Sequence, residues 1–144
     1  MNSILDIEKE TVVEVAKKYC EEHGLEVVFT HDISKTQLQI ISERTKKLPA
    51  MYHASVGMLQ DRLKNGCYLL VKDGEIYGHI FAHRHTIGRY SVFERSSLWV
   101  HQTHRNNNLG LLLMDLLTKK FRKEFLISIA MEATVHQNNE LLGM

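Results

Sequence analysis

The sequence predicts a single α/β domain, of the α+β kind, in which helices flank one central sheet that is mixed but mostly antiparallel. Stretches rich in β-branched and aromatic residues alternate with stretches whose apolar residues recur at helical spacing. The dipeptide Asp73-Gly74 lies between two apolar runs and is typical of a two-residue hairpin turn, which joins antiparallel strands. With 144 residues the chain is long enough to bury one core.

The first half of the chain is predicted to contain three helices and one strand. Val12 and Val15 are assigned to the apolar face of the first helix, which ends at Gly24. Ser34 and Gln37 form a capping-box signal for the second helix. The predicted elements are helix 4–23, strand 25–30, a helix from Ser34 to the residue before Pro49, and helix 55–64. We therefore distinguish an N-terminal helix, residues 1–24, from the rest of the domain, residues 25–144.

The second half is predicted to be richer in strands. Alternation in the second arm of the hairpin predicts that Ile76, Gly78, Ile80 and Ala82 face one way and Tyr77, His79, Phe81 and His83 the other. The almost wholly apolar run 125–135 is typical of a strand buried on both faces. The predicted elements are hairpin 67–83, a polar loop 84–91 around Gly88, strand 92–100, helix 109–123 and strand 125–135.

Composition excludes several classes of protein. The net charge of +1 gives no overall field that would attract nucleic acid or anionic lipid, so neither is expected as a partner. The charged first twenty residues are not a signal peptide, and no apolar run reaches the roughly 20 residues that span a bilayer. Cys20 and Cys67 stand far apart, as in a reduced compartment, so a cytoplasmic location is expected.

The most informative segment is the polar loop between strand 92–100 and helix 109–123. A helix N-terminus presents N–H groups without intrahelical partners and partial positive charge, which suits a phosphate group. Arg105 adds a permanent cation, and Gly110 lets a ligand approach the backbone. The run 106–108 is three asparagines, a residue that tolerates the left-handed region well. The loop is therefore predicted to form a nest of N–H groups that binds an anion.

This segment resembles motif A of the GNAT superfamily of N-acetyltransferases, whose domain has the acyl-CoA N-acyltransferase fold. The usual pattern is V-x-P-x-x-R-G-x-G-x-G; Val100, Arg105 and Gly110 match it, whereas Gln102, Asn106 and Asn108 replace its proline and first two glycines. The resemblance extends to a D-G-x-x-x-G pattern in the hairpin, at Asp73, Gly74 and Gly78, and to Asn139 near the end of the chain.

The resemblance implies that the protein binds acetyl-CoA in a splay between strand 92–100 and a parallel strand 125–135. The pantetheine arm would pair with the backbone of strand 92–100, and the pyrophosphate would rest on the loop. The acceptor would be an unidentified amine that attacks the thioester directly. The implied acetyl-CoA-binding residues are Leu98, Trp99, Val100, Arg105, Asn106, Asn107, Asn108, Leu109, Gly110, Leu111 and Asn139.

For catalysis the resemblance implies Glu94 as the base that takes the proton of the amine through water; otherwise Glu94 is a solvated strand residue. The tyrosine that serves relatives as general acid has no counterpart, since none follows Tyr90. The C-terminal part is also short, so the protein either continues beyond Met144 or is a shortened member completed by a partner. A homodimer through the N-terminal helix is left open.

An alternative function is also open. The substituted glycines and short C-terminus also fit a catalytically weak or inactive member that acts in protein–protein contacts, similar to members encoded by bacterial viruses.

The histidines of one strand raise the question of a metal site. His79, His83 and His85 share one face of a strand, but four residues of strand separate the first two by about 13 Å, too far for one ion. No metal site is therefore expected.

Overall fold

The structure is a computed structural model that describes residues 4–47, 53–88 and 90–121. Over these residues it contains four α-helices, four strands and one short 3₁₀ turn. In chain order they are α1 (Ile4–Glu22), β1 (Glu26–Thr30), α2 (Lys35–Lys47), α3 (Val56–Leu63), β2 (Cys67–Lys72), β3 (Glu75–Ile87), β4 (Tyr90–Val100), the 3₁₀ turn (Gln102–His104) and α4 (Leu109–Lys120). The predicted α+β fold is confirmed.

The four strands form one antiparallel sheet in the order β1-β2-β3-β4. Asp73 (φ 51°) and Gly74 (φ 78°) form the turn between β2 and β3, in the left-handed conformations that such a turn requires. β4 is one of the two edge strands of the described sheet, and β1 is the other. The strand 125–135, which was predicted to pair in parallel with β4, lies outside the described residues.

The structure confirms the predicted helix boundaries at two chemical signals. Gly24 (φ 69°) lies two residues after Glu22, the last residue of α1, in the left-handed conformation expected of a glycine that ends a helix. The Ser34 hydroxyl accepts a hydrogen bond from the backbone N–H of Gln37 at 3.2 Å and thereby caps α2. The Gln37 side chain differs from a full capping box, because it donates to the carbonyl of Gly74 at 3.2 Å. This bond ties α2 to the β2–β3 turn.

The prediction of a polar loop at residues 84–91 is wrong. β3 and β4 pair continuously to the pair Ile87↔Tyr90, and Gly88 (φ 61°) lies in the turn that follows β3. Arg84 and Thr86 suggested a loop because they are polar, but both are exposed on strand β3. Because the sheet ladder uses backbone groups, polar side chains on its solvent side do not interrupt it.

One strand-face prediction is also wrong at the start of β3. Leu70 pairs with Gly78 whereas Val71 pairs with Ile76, so Tyr77 is an extra residue that forms a β-bulge. Beyond a bulge the alternation of faces reverses. Ile76 therefore packs with Phe81, on the face opposite to Ile80, and Tyr77 packs on the other side.

Two hydrophobic clusters cover the two faces of the sheet. The first joins α1 and α4 to one face and contains Val13, Ala16, Cys20, Leu70, Ile80, Ala82, Phe93, Leu98, Val100, Leu109, Leu112, Leu113 and Leu117. The second joins α2 and α3 to the other face and contains Leu38, Ile41, Leu59, Leu63, Cys67, Leu69, Ile76 and Phe81. The leucine stripe of α4 is thus core, and it fixes the start of α4 against the end of β4.

Candidate functional site

The loop between β4 and α4 begins with the 3₁₀ turn and ends in two left-handed asparagines. Asn106 has φ 66° and Asn108 has φ 61°, which confirms that two residues of the asparagine run take the left-handed conformation. Side chains other than glycine and asparagine adopt this region at a cost of about 1–2 kcal/mol per residue. The chain thus turns sharply from β4 into α4 without a glycine at either position.

The N-terminus of α4 lacks a side-chain cap. Asn108 occupies the N-cap position, but its side chain makes no capping hydrogen bond. The first intrahelical bond runs from the N–H of Leu112 to the carbonyl of Asn108 at 3.1 Å. The N–H groups of Leu109, Gly110 and Leu111 precede it and have no intrahelical acceptor. Within the described residues, the helix therefore presents N–H donors without a recorded acceptor, together with its positive dipole end, to the loop.

Side chains of the loop hold the loop itself together. The Nε of Arg105 donates to the carbonyl of Val100 at 2.9 Å, and so fastens the loop to the end of β4. The side-chain amide of Asn107 donates to the carbonyls of His104 at 3.1 Å and Arg105 at 3.0 Å. Within the described part of the chain, the two terminal nitrogens of Arg105 have no recorded partner. They remain available to an anion beside the α4 N-terminus.

A second β-bulge lies in β4 just before the loop. His79 pairs with Trp99 but Phe81 pairs with Ser96, so β4 has two residues, Ser97 and Leu98, opposite a single residue of β3. Ser97 has φ 52°, and its carbonyl accepts a 2.6 Å hydrogen bond from Nδ1 of His79. This bulge bends the edge strand in the segment where the pantetheine arm was predicted to pair.

His79 is buried next to the bulge and forms a hydrogen bond with it. Its side chain is fully buried, and burial lowers its pKa to about 3, with a further lowering by the positive charge of Arg44. The ring stacks on Trp99 at a centroid distance of 5.4 Å, and the Arg44 guanidinium covers Trp99 at 3.7 Å. The Trp99 side chain thus lies on the α2 face of the sheet, so only its backbone can contribute to the β4 edge.

Glu94, the predicted base, lies three residues before the bulge on the same strand. Its Oε2 is 2.7 Å from Nε2 of His85, and both side chains are about two-fifths exposed. His83 lies directly opposite Glu94 in the β3–β4 register. Glu94 is therefore paired rather than simply solvated.

His83, His85 and Glu94 form one cluster, with one ligand atom from each lying within 4.8 Å of the others. Burial lowers the pKa of His83, and the positive charges of Arg62 and His85 lower it further. Sequence reasoning considered histidines along one strand and so missed Glu94 as their partner. The cross-strand register was the missing information, because it depends on the length of the β3–β4 hairpin.

The other side of the loop contacts α1. The Tyr19 hydroxyl shares a 2.8 Å hydrogen bond with Nδ1 of His104, and Tyr19 stacks on His23 at 3.8 Å between centroids. Tyr77 meets the rings of His101 and His104 edge-on. Burial, with the neighbouring charges of His23, His101 and Lys72, lowers the pKa of His104. No spacing in the sequence indicates that residues 19 and 104 meet.

Several expectations fall on residues that the structure does not describe. Asn139 and the strand 125–135 belong to this part of the chain, and so does the rest of the implied splay beyond β4. In the described residues, no helix combines the length and apolar character needed to cross a membrane.

The fold and the loop define a class of protein: an α+β domain whose edge strand leads, through a left-handed asparagine loop, into an uncapped helix. A sequence model of the Acetyltransferase (GNAT) family matches residues 36–142. This match spans well over half of the chain, so the chain belongs to the acetyltransferase (GNAT) family and has a function of the acetyltransferase type. A search of curated proteins finds none that matches.

Proposed function

We propose that the protein transfers an acetyl group from acetyl-CoA to a primary amine. The proposal rests mainly on the pair of left-handed asparagines. They bend the chain from the end of β4 into α4, whose N-terminus has no side-chain cap. The pyrophosphate of acetyl-CoA needs N–H donors and a cation. Leu109 to Leu111 offer the donors, and the terminal nitrogens of Arg105 offer the cation.

The edge of β4 is the second part of the proposed site. Its outward backbone groups have no strand partner among the described residues, so the amides of a pantetheine arm can pair with them as an added strand would. The bulge at Ser97 and Leu98 interrupts regular pairing and turns the backbone at one point. We place the thioester near this bulge.

In the proposed reaction the neutral amine nitrogen attacks the thioester carbon, the carbon–sulfur bond breaks, and coenzyme A leaves as a thiolate. The thiolate takes up, through solvent, the proton that the nitrogen loses as it becomes an amide. Glu94 accepts the proton of the ammonium. Three residues of strand separate Glu94 from Ser97, about 10 Å, so the proton moves through water. The Glu94 side chain is about two-fifths exposed, so it can return the proton to solvent. Positioning supplies most of the remaining acceleration.

The first prediction is that Arg105→Ala weakens acetyl-CoA binding at least about tenfold, because a charge-assisted phosphate contact contributes roughly 1.5–3 kcal/mol. Calorimetric titration of the purified protein measures the dissociation constant. Arg84→Ala is the matched control: it also removes one arginine, but from an exposed position near the other end of the β3–β4 pair, where the side chain covers Phe93. Equal dissociation constants for the Arg105 variant and the wild type would show that Arg105 does not contact acetyl-CoA and would contradict the proposed site.

Binding and transfer are separated by a second measurement. Release of free thiol from acetyl-CoA, followed with a panel of primary amines, reports turnover. An active protein releases thiol with at least one amine. A protein that binds acetyl-CoA with the predicted Arg105 dependence but releases no thiol above background is instead the catalytically inactive member that the substituted glycines also fit.

A further inference from the structure

We propose that His83, His85 and Glu94 form a binding site for one divalent transition-metal ion, with zinc as the best match. The three side chains offer two imidazole nitrogens and one carboxylate oxygen, all within 4.8 Å of one another. The proposal does not rest on acetyl transfer, since these residues would bind the ion whether or not the protein acts on acetyl-CoA.

The sheet holds the three ligands in place. His83 lies opposite Glu94, and His85 is the next residue of β3 on the same face. Pairing continues beyond them to Ile87↔Tyr90, so regular ladder flanks the cluster on both sides. The rings of His83 and His85 approach to 4.2 Å between centroids. A rigid backbone that already brings the ligands together reduces the ordering needed when an ion binds.

The contact between His85 and Glu94 is close but incomplete. Nε2 of His85 lies 2.7 Å from Oε2 of Glu94. The same nitrogen is shielded from solvent, yet it has no hydrogen bond of acceptable geometry to any described residue. A zinc ion bound at about 2.0–2.2 Å to each atom would satisfy both, with the ligands about 3.4 Å apart. A rotation that opens this pair by about 0.7 Å brings these two atoms to that spacing.

The donor set determines which ion fits. Two imidazoles with one carboxylate suit zinc and leave a fourth position for water, whereas calcium and magnesium prefer sites built from oxygen. The charges that face the cluster from α3 have opposite signs, Arg62 and Asp61, so they partly offset one another. The ion would also occupy the carboxylate proposed as the base. Bound zinc and proton transfer through Glu94 therefore exclude each other.

The test is a calorimetric titration of the full chain, free of any affinity tag, with Zn²⁺ alone. We expect one equivalent to bind, and we expect His85→Gln and Glu94→Gln each to weaken binding by roughly tenfold or more. His53→Gln is the matched control, because it removes an exposed histidine outside the cluster and should leave the dissociation constant unchanged. Melting curves recorded without metal verify that each variant is folded.

Cobalt gives an independent readout. Co²⁺ bound to nitrogen and oxygen ligands should show visible absorption without a sulfur charge-transfer band, in keeping with the burial of Cys20 and Cys67. Two results would overturn the proposal: no saturable binding of either ion, or a zinc dissociation constant that is the same in the wild type and both cluster variants. The second result would mean that zinc binds to other histidines of the chain. Neither result bears on the Arg105 test of acetyl-CoA binding.

Discussion

Single residues with positive φ mark the turns on which this fold depends. Among the described residues that are not glycine, those with positive φ are Asp73, Ser97, Asn106 and Asn108. Asparagine and aspartate enter this region readily, because their short polar side chains can form local hydrogen bonds. Ser97 has no such preference, and the hydrogen bond from His79 to its carbonyl stabilises the bulge in which it lies. Three of these four conformations follow from residue type, and the fourth follows from tertiary contact.

Two glycines, Gly66 and Gly74, allow the free-energy cost of backbone strain to be measured separately from that of a steric clash. Gly66 (φ 91°) and Gly74 (φ 78°) both require a left-handed backbone. A Cβ at Gly66 would lie 2.3 Å from Cζ of Phe29, whereas a Cβ at Gly74 meets nothing within 4 Å. We expect Gly74→Ala to lower the free energy of unfolding by about 1 kcal/mol. Gly66→Ala should lower it by about 1–3 kcal/mol more.

Urea denaturation of both glycine variants measures these free energies. Because the two substitutions are chemically identical and both strain the backbone, their difference isolates the clash with Phe29. Equal losses in the two variants would mean that Phe29 moves aside at little cost.

At the scale of elements, α1 lies outside the residues that match the family. It nevertheless packs against α4 in the first hydrophobic cluster. It also reaches the loop through the hydrogen bond between Tyr19 and His104. The division into a helix 1–24 and a separate remainder therefore remains a prediction about chain organisation, while the packing joins α1 to the same core.

The buried face of α1 differs from the one that the sequence suggested. Val13, Ala16 and Cys20 are buried, at the spacing of one helical stripe, whereas Val15 is 56% exposed. Val12 and Val15 were assigned to the apolar face because both are apolar and close to helical spacing with other residues. Only the position of α4 decides which of the neighbouring valines is covered.

Two valines of α1 provide a matched test of this packing. We expect Val13→Ala to lower the free energy of unfolding by about 2 kcal/mol, since it removes two buried carbon groups and leaves a cavity. Val15→Ala should change it by less than about 0.5 kcal/mol, because its side chain is exposed. Chemical denaturation followed by circular dichroism measures both. Similar losses would show that α1 does not dock as described.

At the scale of the whole molecule, the sheet is covered on both faces and encloses the polar side chain of His79 completely. His79 has no exposed surface, and its Nε2 has no hydrogen-bond partner among the described residues. Burial holds its pKa at about 3, against an ordinary value of 6.5. The folded protein therefore keeps His79 neutral in a pH range where the unfolded chain protonates it.

This difference makes stability depend on pH. Between pH 6.5 and about 3 the unfolded state binds one more proton at His79 than the folded state, so stability falls as the pH falls. The contribution approaches about 1.4 kcal/mol per pH unit. We expect His79→Gln to reduce the slope of unfolding free energy against pH in this window by about one proton.

The comparison needs only slopes, so it holds even if the His79 variant is less stable. Urea denaturation at a series of pH values from 8 to 4 gives the slopes for both proteins. Above pH 7 His79 is neutral in both states and the two slopes should coincide. A variant whose slope below pH 6 equals that of the wild type would show that His79 becomes protonated without unfolding.

The sequence by itself determined the order of the elements from α1 to α4, the Asp73-Gly74 turn, the α2 cap and the left-handed asparagines. Each of these follows from local chemistry, because a few adjacent residues decide backbone conformation. It also predicted the strand–loop–helix device that indicates the family. It could not place the two bulges, since a bulge depends on how two strands align and not on either strand alone.

Only the tertiary structure decided which residues meet across the chain. It brought Glu94 to His83 and His85, Tyr19 to His104, and Arg44 to Trp99. The register of β3 with β4 and the docking of helices on the sheet produce these contacts, and both depend on packing between residues far apart in sequence. The conformation of the loop follows from its own residues, whereas the cluster around Glu94 exists only because β3 and β4 pair in one register.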